Sequence, residues 1–345
     1  MENIPTWRVV GGASDDTKEI ARKIPQERIE GDDLAEIDDE SREIIRQNEI
    51  PKTEMEIRLI ELANKETNKL MEKFGLRPYD IPEKNIHLLN SETYQKLLDR
   101  DNTHAGGASS LQQIIFLNTE TERGDNGNMF FASTCFHEML HLKAHMTIRV
   151  EGDEEDDYNV STFRQGVSVG GKESDFGIDE EPTYFIGLHE AIVADAEKDY
   201  VRYLYTLPEF VREKEEREKP EMNELINRIT NEENIDKDEI KTIVDLGDGY
   251  DVELASYKKL RDVLYYVCTE ISKVFQEKYP DMNSVKEEFL KANFTGRLLP
   301  IARLVEGTFG KGSFRTLGAM KDTESASAVL QSLIESRGKV LSQSV

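Results

Sequence analysis

Cysteine is scarce in this chain: its 345 residues include only Cys135 and Cys268. Two distant cysteines cannot build the disulfide framework that stabilises small secreted domains, so the sequence favours a reducing, cytoplasmic location. No apolar run approaches the roughly 18–20 residues that a membrane-spanning helix needs, and the first residues lack the basic and apolar regions of a signal peptide. We therefore expect a protein that has no membrane partner.

Positive charge is also in short supply. The chain has 44 lysines and arginines against 69 aspartates and glutamates, which gives a formal net charge of −25 at pH 7. Proteins that bind the phosphate backbone of nucleic acids, or an anionic membrane surface, need clustered basic side chains. The charge balance therefore argues against a nucleic-acid partner.

Hydrophobic periodicity divides the chain into three regions. Residues 1–52 are highly polar and include the acidic run EGDDLAEIDDESREI, which predicts an acidic, mobile N-terminal extension. Residues 53–206 alternate between helical and strand-like patterns, whereas residues 207–345 carry helical spacing of apolar residues. The sequence thus predicts an α+β core followed by a mainly helical C-terminal lobe.

Within the predicted core, three segments have strand character and two have the pattern of long helices. Residues 85–90 and 111–118 are short apolar runs typical of strands, and a Gly-Gly turn follows a third strand-like stretch at 158–171. Long helices are predicted at about 129–148 and at 184–205.

The stretch CFHEMLH, residues 135–141, places two histidines four residues apart on a predicted helix. Residues i and i+4 lie one turn apart on the same helix face, so His137 and His141 can bind one zinc ion. Glu138 is rotated by about 100° from His137, which lets it reach a water on the metal and act as general base. The alternative is a pair of core histidines that bond to nearby groups.

The chain resembles the zincin metallopeptidases in two respects: it contains the motif HEMLH, and its predicted helices and strands over residues 55–205 follow a similar order. The resemblance implies a small sheet whose edge strand lies above the HExxH helix and binds an extended peptide substrate. The segment 111–118 occupies the position of that edge strand. The resemblance further implies a helical lobe after the core.

A catalytic zinc site has three protein ligands and an open position, so a third ligand is required. Glu190, on the second long helix, resembles the third ligand of the gluzincin subgroup. His145 continues the four-residue spacing of the histidines. It lies about 12 Å from His137 along a continuous helix, however, so the two side chains are too far apart to bind one ion. His189 and the acidic residues of 178–182 are weaker alternatives.

The resemblance also implies supporting residues around the metal. Some gluzincins carry an aspartate four residues after the third ligand, but here Asp195 lies five residues after it and points away. A tyrosine, histidine or arginine from the later helices often steadies the oxyanion. Tyr257, Tyr265, Tyr266 and Arg297 are eligible by residue type.

The sequence therefore predicts a zinc-dependent metallopeptidase with one zinc ion per chain, ligands His137, His141 and Glu190, and Glu138 as general base. The expected partner is a peptide or protein substrate. Two alternatives stay open: a catalytically silent binding or regulatory protein of the same fold, and a regulatory peptidase that cuts one cytoplasmic partner. A closed structural metal site is disfavoured because the two cysteines lack metal-ligand spacing.

Overall fold

The computed structural model describes residues 7–35, 37–98, 105–119, 127–154, 157–170, 183–245 and 250–343, and these ranges form an α+β structure. The helices are α1 Asp15–Glu30, α2 Asp39–Asn48, α3 Glu54–Lys73, α4 Ser91–Leu98, α5 Gly127–Lys143, α6 Ile186–Leu204, α7 Val211–Glu218, α8 Pro220–Glu232, α9 Lys258–Val274, α10 Met282–Thr295, α11 Leu298–Phe309, α12 Ser313–Gly318 and α13 Thr323–Gln343. The strands are β1 Arg8–Gly11, β2 Ile86–Leu89, β3 Gly106–Ser109, β4 Ile114–Asn118, β5 Met146–Glu154, β6 Asp157–Gln165, β7 Ser168–Val169, β8 Ile240–Asp245 and β9 Tyr250–Leu254.

The strands belong to three small sheets, with orders β1-β5-β6-β7, β2-β4-β3 and β8-β9. Strand β4 pairs in parallel with β2 and antiparallel with β3, so it lies in the centre of its sheet, and all five of its residues are buried. The prediction that 111–118 is the edge strand is therefore wrong. Within the described residues β3 occupies that edge, and its sequence GGAS is too short and too rich in glycine to read as a strand.

Helix α5 is buried on all sides, because every residue from Phe131 to Lys143 is buried. It packs against α3, α6 and the β2-β4-β3 sheet. It ends at Lys143, five residues before the predicted boundary at 148. Strand β5 begins at Met146, and its β-branched residues Thr147, Ile148 and Val150 favour an extended strand over a further helical turn. The Lys143 ammonium group donates hydrogen bonds to Asn64 Oδ1 at 3.0 Å and to Thr67 Oγ1 and Asn68 Oδ1 at 2.8 Å, which bind the last turn to α3.

The described part of the first 52 residues belongs to the core, which corrects the prediction of a mobile extension. Strand β1 pairs with β5, and Trp7, Ala21 and Ile24 lie in the same apolar cluster as the buried face of α5. Leu34 and Ile45 pack in a second cluster beside β2 and β4. The acidic side chains dominate the composition of this segment and conceal the apolar residues that fix it in place.

Trp7 provides a direct test of this correction. Its side chain is 6% exposed and meets the Tyr79 ring edge-on, with the ring centroids 6.4 Å apart. Because Trp7→Ala leaves a large cavity, we expect the free energy of unfolding to fall by about 3 kcal/mol. Urea unfolding would measure the change, with Ile20→Ala as control, because Ile20 lies in the same segment and is 47% exposed. If the two variants are equally stable, Trp7 does not contribute to the core and the segment is an extension, as the sequence predicted.

The C-terminal region is mainly helical, as predicted, but it contains one β-hairpin. Residues 236–245 were expected to be helical, whereas the structure places strand β8 there, paired with β9. The run Ile240, Thr242, Ile243 and Val244 explains the difference, since β-branched side chains fit an extended, half-buried strand better than a helix.

Helix α6 connects the two main apolar cores. Its Val193 and Tyr200 belong to the core around α5, while Leu188 and Ile192 belong to the core formed with α9, α10, α11 and α13. Near its start, Gly187 allows close approach to the loop before α13, because a Cβ atom there would lie 2.8 Å from the Met320 carbonyl oxygen. Helix α6 is thus held from both sides.

Among the described helices, none combines the length and the apolar character that crossing a bilayer requires.

Candidate metal centre

The structure brings together the three residues that the sequence predicted as metal ligands. Helix α5 supplies His137 and His141, and the neighbouring helix α6 supplies Glu190. The two Nε2 atoms lie 3.1 Å apart, and Glu190 Oε2 lies 3.6 Å from His137 Nε2 and 3.5 Å from His141 Nε2. One ligand atom from each residue therefore points toward a common centre.

The spacing of these atoms fits three ligands of one shared cation better than it fits hydrogen bonds between Glu190 and the two imidazoles. Zinc lies about 2.0–2.1 Å from nitrogen and oxygen ligands, so two ligands at tetrahedral positions are roughly 3.3 Å apart. The distances from Glu190 Oε2 to the imidazoles are too long for good hydrogen bonds. This oxygen is buried and has no hydrogen-bond partner in the described part of the chain, which a bound cation would supply.

The charge state of Glu190 suits a metal ligand as well. Burial alone would raise the pKa of its carboxyl group, but the nearby His141 and His137 hold that pKa well below its usual range. The group is therefore an anion, as a ligand to a divalent cation must be.

Behind His137, a chain of charged groups fixes the orientation of its ring. Glu197 Oε2 lies 2.9 Å from His137 Nδ1, and the other oxygen of Glu197 lies 2.8 Å from the Lys241 ammonium group on β8. Burial raises the pKa of Glu197, but Lys241 and His137 outweigh it and lower that pKa to about 2. The carboxylate accepts a hydrogen bond from Nδ1–H, which leaves Nε2 free to bind a metal.

Behind His141, a chain of uncharged hydrogen-bonding groups fixes the orientation of the imidazole ring in the same way. The backbone N–H of Val167 donates to Asn293 Oδ1 at 3.2 Å, which identifies this atom as the amide oxygen. His189 Nδ1 lies 2.7 Å from the same oxygen, so it carries the proton. His189 Nε2 then accepts from His141 Nδ1–H at 2.8 Å, and the lone pair of His141 Nε2 faces the metal centre.

Burial keeps His189 in the neutral form that this chain requires. Burial is the main cause that lowers the pKa of His189 to about 3, and its neighbour His141 lowers that pKa further. A neutral imidazole with its proton on Nδ1 has one acceptor, Nε2, and that acceptor faces His141.

The role of His189 can be tested by its effect on metal affinity. Because His189→Leu removes the acceptor for His141 Nδ1–H, we expect zinc affinity to fall by about 10- to 100-fold, the range for loss of a group that orients a metal ligand. His189→Gln retains an amide oxygen and should lose less. Competition with a chelator would measure both variants, and equal affinities for wild type and His189→Leu would contradict the proposed orientation.

Glu138 lies beneath strand β3 and not among the metal ligands. A Cβ atom built on Gly106 would lie 2.9 Å from Glu138 Oε1, 3.0 Å from Glu138 Cγ and 2.8 Å from Thr134 Cγ2. Only glycine permits this approach of strand and helix. The Glu138 side chain thus lies against the edge strand, on the same helix that carries His137 and His141.

The outer edge of β3 offers backbone groups for pairing. The Asn118 N–H donates to Ala105 O at 2.9 Å, and β3 continues this antiparallel register with Gly106 opposite Leu117. Since hydrogen-bonded and non-bonded pairs alternate, the amide and carbonyl groups of Gly106 and Ala108 point away from β4.

Of the four residues considered for oxyanion stabilisation, Tyr257 is the one in contact with a predicted ligand. Its ring stacks on the His137 ring, with centroids 6.1 Å apart and planes 25° apart. Its backbone has φ +57°, an uncommon conformation for a bulky residue. The Tyr265 hydroxyl bonds to Asp195 at 2.7 Å, Tyr266 packs on Phe309, and Arg297 is exposed.

The other residues considered as a third ligand, or as a support for the ligands, lie elsewhere. His145 follows the end of α5, and its Nε2 lies 3.1 Å from Thr147 Oγ1. Asp195 contacts Tyr265 and Lys286, which agrees with the expectation that it points away from the metal. The segment 178–182 lies outside the described residues.

Sequence reasoning missed three groups that support the ligands. Glu197 could have been found, because it lies seven residues after Glu190 and therefore two turns along the same helix face. Lys241 and Asn293 carry no local signal, since they come from a strand and a helix that reach the site only through the tertiary fold.

Comparisons with known proteins give no further assignment of this site. Neither protein-family models, nor curated proteins, nor solved structures produced a match to the chain.

Proposed function

We propose that this protein is a zinc-dependent metallopeptidase of the zincin type, with one zinc ion held by His137, His141 and Glu190. The observation that carries the proposal is the convergence of these three ligands next to Glu138 and beneath a sheet edge. Two imidazoles and one carboxylate are a common ligand set of catalytic zinc, and three ligands leave a position open. A closed structural site would use a fourth protein ligand instead.

A zinc ion in this centre would polarise a peptide carbonyl and lower the pKa of water. The chain's own groups then perform the proton transfers. Glu138 is the general base that takes a proton from the attacking water and later delivers it to the leaving amine. Its place beside the metal ligands, with no role in binding the metal, suits this shuttle.

The substrate is an extended peptide that pairs with β3. The outward amide and carbonyl groups of Gly106 and Ala108 form main-chain hydrogen bonds with it, as in other complexes in which a peptide adds a strand to a sheet. This replaces the sequence-based proposal that the peptide lies along 111–118, since β4 is covered on both sides. A peptide at β3 places a scissile bond above Glu138.

Tyr257 is the residue proposed to steady the oxyanion. Its ring lies against His137, and its positive φ fixes the start of α9 beside the metal centre. Strained backbone of this kind is found disproportionately at functional sites. A phenol hydroxyl can donate a hydrogen bond to the negative charge that develops on the peptide oxygen.

The proposal is tested by metal content and cleavage together. Purified protein should contain about one zinc per chain and should cut members of a broad peptide library, with activity lost on chelation and restored by zinc. A zinc-loaded protein that leaves the whole library intact would favour a silent member of the fold. A protein that cannot be loaded with zinc would overturn the metal centre itself.

A further inference from the structure

Two arginines lie in one row across the first sheet, on the face opposite the core. Arg8 on β1 is paired with Thr147 on β5, and Thr147 is paired with Arg164 on β6. Paired residues of adjacent strands project from the same face, and adjacent strands lie about 4.8 Å apart. The Cα atoms of the two arginines are therefore about 10 Å apart, close enough for both guanidinium groups to contact one small ligand.

Which face this is follows from the burial of β5. Met146, Ile148 and Val150 belong to the apolar core beside α5, so Thr147, which alternates with them, points to the other side. His145 shares that side, because its Nε2 lies 3.1 Å from Thr147 Oγ1.

The two guanidinium groups lack the acidic partners that arginines normally have. No carboxylate in the described ranges forms an ion pair with Arg8 or Arg164, although the chain has 69 acidic residues and 44 basic ones. Arg164 Nε donates to the Gly166 carbonyl oxygen at 3.0 Å, but Arg164 Nη2 is buried and has no hydrogen-bond partner. A buried, unused donor of a charged group is costly unless a ligand completes it.

The charges of the two arginines act on each other and on the neighbouring His145. Burial lowers the pKa of Arg164, and the charge of Arg8 lowers it further. Burial and the charges of Arg164 and Arg8 also lower the pKa of His145 to about 4, so His145 is neutral at pH 7. Two other charged side chains of β5 share this face: Arg149, which lies over the Phe163 ring at 4.3 Å, and the exposed Glu151, four residues along the strand from Thr147.

We propose that Arg8 and Arg164 form a binding site for a dianionic phosphate group, either inorganic phosphate or the phosphoryl group of a small molecule. Arg164 is half-buried and supplies a fixed donor through its buried Nη2 atom, and the exposed Arg8 closes over the ligand from the solvent side. Two unpaired positive charges neutralise a dianion, whereas a single carboxylate would leave one charge unbalanced. Guanidinium donors also match the oxygens of phosphate in pairs.

The site is tested by titrating the full-length protein with inorganic phosphate in a calorimeter. Wild type should bind with saturation, and Arg8→Gln/Arg164→Gln should bind at least about tenfold more weakly, as expected for lost hydrogen bonds between charged groups. The control is Arg303→Gln/Arg315→Gln, which removes the same charge at two exposed positions of the C-terminal lobe. Phosphate that binds to zinc would bind equally to both double variants. It therefore cannot cause a difference in affinity between them.

Two further measurements keep the test independent of folding. Arg8→Gln alone changes an exposed side chain and should weaken phosphate binding without unfolding the protein. In wild type, the Arg164 Nε–Hε signal in a nitrogen-15 NMR spectrum should shift when phosphate is added. It should not shift when acetate is added at the same concentration. Equal phosphate affinity of the two double variants, absence of saturation, or an equal response to acetate would each overturn the proposal.

Discussion

Replacing Glu190 by alanine is expected to weaken zinc binding by at least about ten- to a hundredfold, the effect known for groups that merely orient a ligand. Helix α5 can direct only His137 and His141 at one ion, so the third ligand must come from another element. Glu190 Oε2 lies within 3.6 Å of both Nε2 atoms and has no other partner among the described residues.

His145→Ala is the matched control for this experiment. His145 lies beyond the end of α5 and contacts Thr147, so its removal should leave zinc affinity within about threefold of wild type on the usual scale of surface changes. Both variants are compared by competition with one chelator at one pH. If His145→Ala releases the metal while Glu190→Ala retains it, the ligand set is wrong.

Replacing Glu138 by glutamine should separate metal binding from catalysis. The change preserves shape but removes the base, so zinc content should stay at wild-type level while turnover falls by at least about a hundredfold. The measurement pairs metal analysis with cleavage of the best peptide from the library. Glu61→Gln, at an exposed position of α3, serves as control for the loss of one negative charge.

The outcome of Glu138→Gln discriminates between roles for this residue. Retained cleavage would exclude the proton shuttle proposed for Glu138. Loss of zinc together with activity would assign Glu138 to metal binding, which the Gly106 contact does not favour.

The sequence could predict the two candidate ligands on α5 because their arrangement depends on local spacing. His137 and His141 must be four residues apart on one helix, and that periodicity is visible without a structure. Glu190 followed from a family resemblance, and the structure places its carboxylate beside both imidazoles.

The sheet edge and the supporting residues depend on long-range packing, and the sequence predicted them poorly. The strand-like segment 111–118 was visible, but its position in the sheet depends on β3, which has a glycine-rich sequence without strand periodicity. The N-terminal segment was misjudged for a related reason. Its composition is acidic, yet a few apolar residues such as Trp7 and Ile24 are enough to fix it to the core.

The position of Asn293 has a consequence for how the protein is made. His189 and Asn293 are 104 residues apart in the chain. A ribosome that adds about 5–20 residues per second needs about 5–20 s to pass from one to the other. During that interval the nascent chain already carries His137, His141 and Glu190 but lacks the amide that orients His189, so the proposed zinc site is incomplete until α10 has been synthesised.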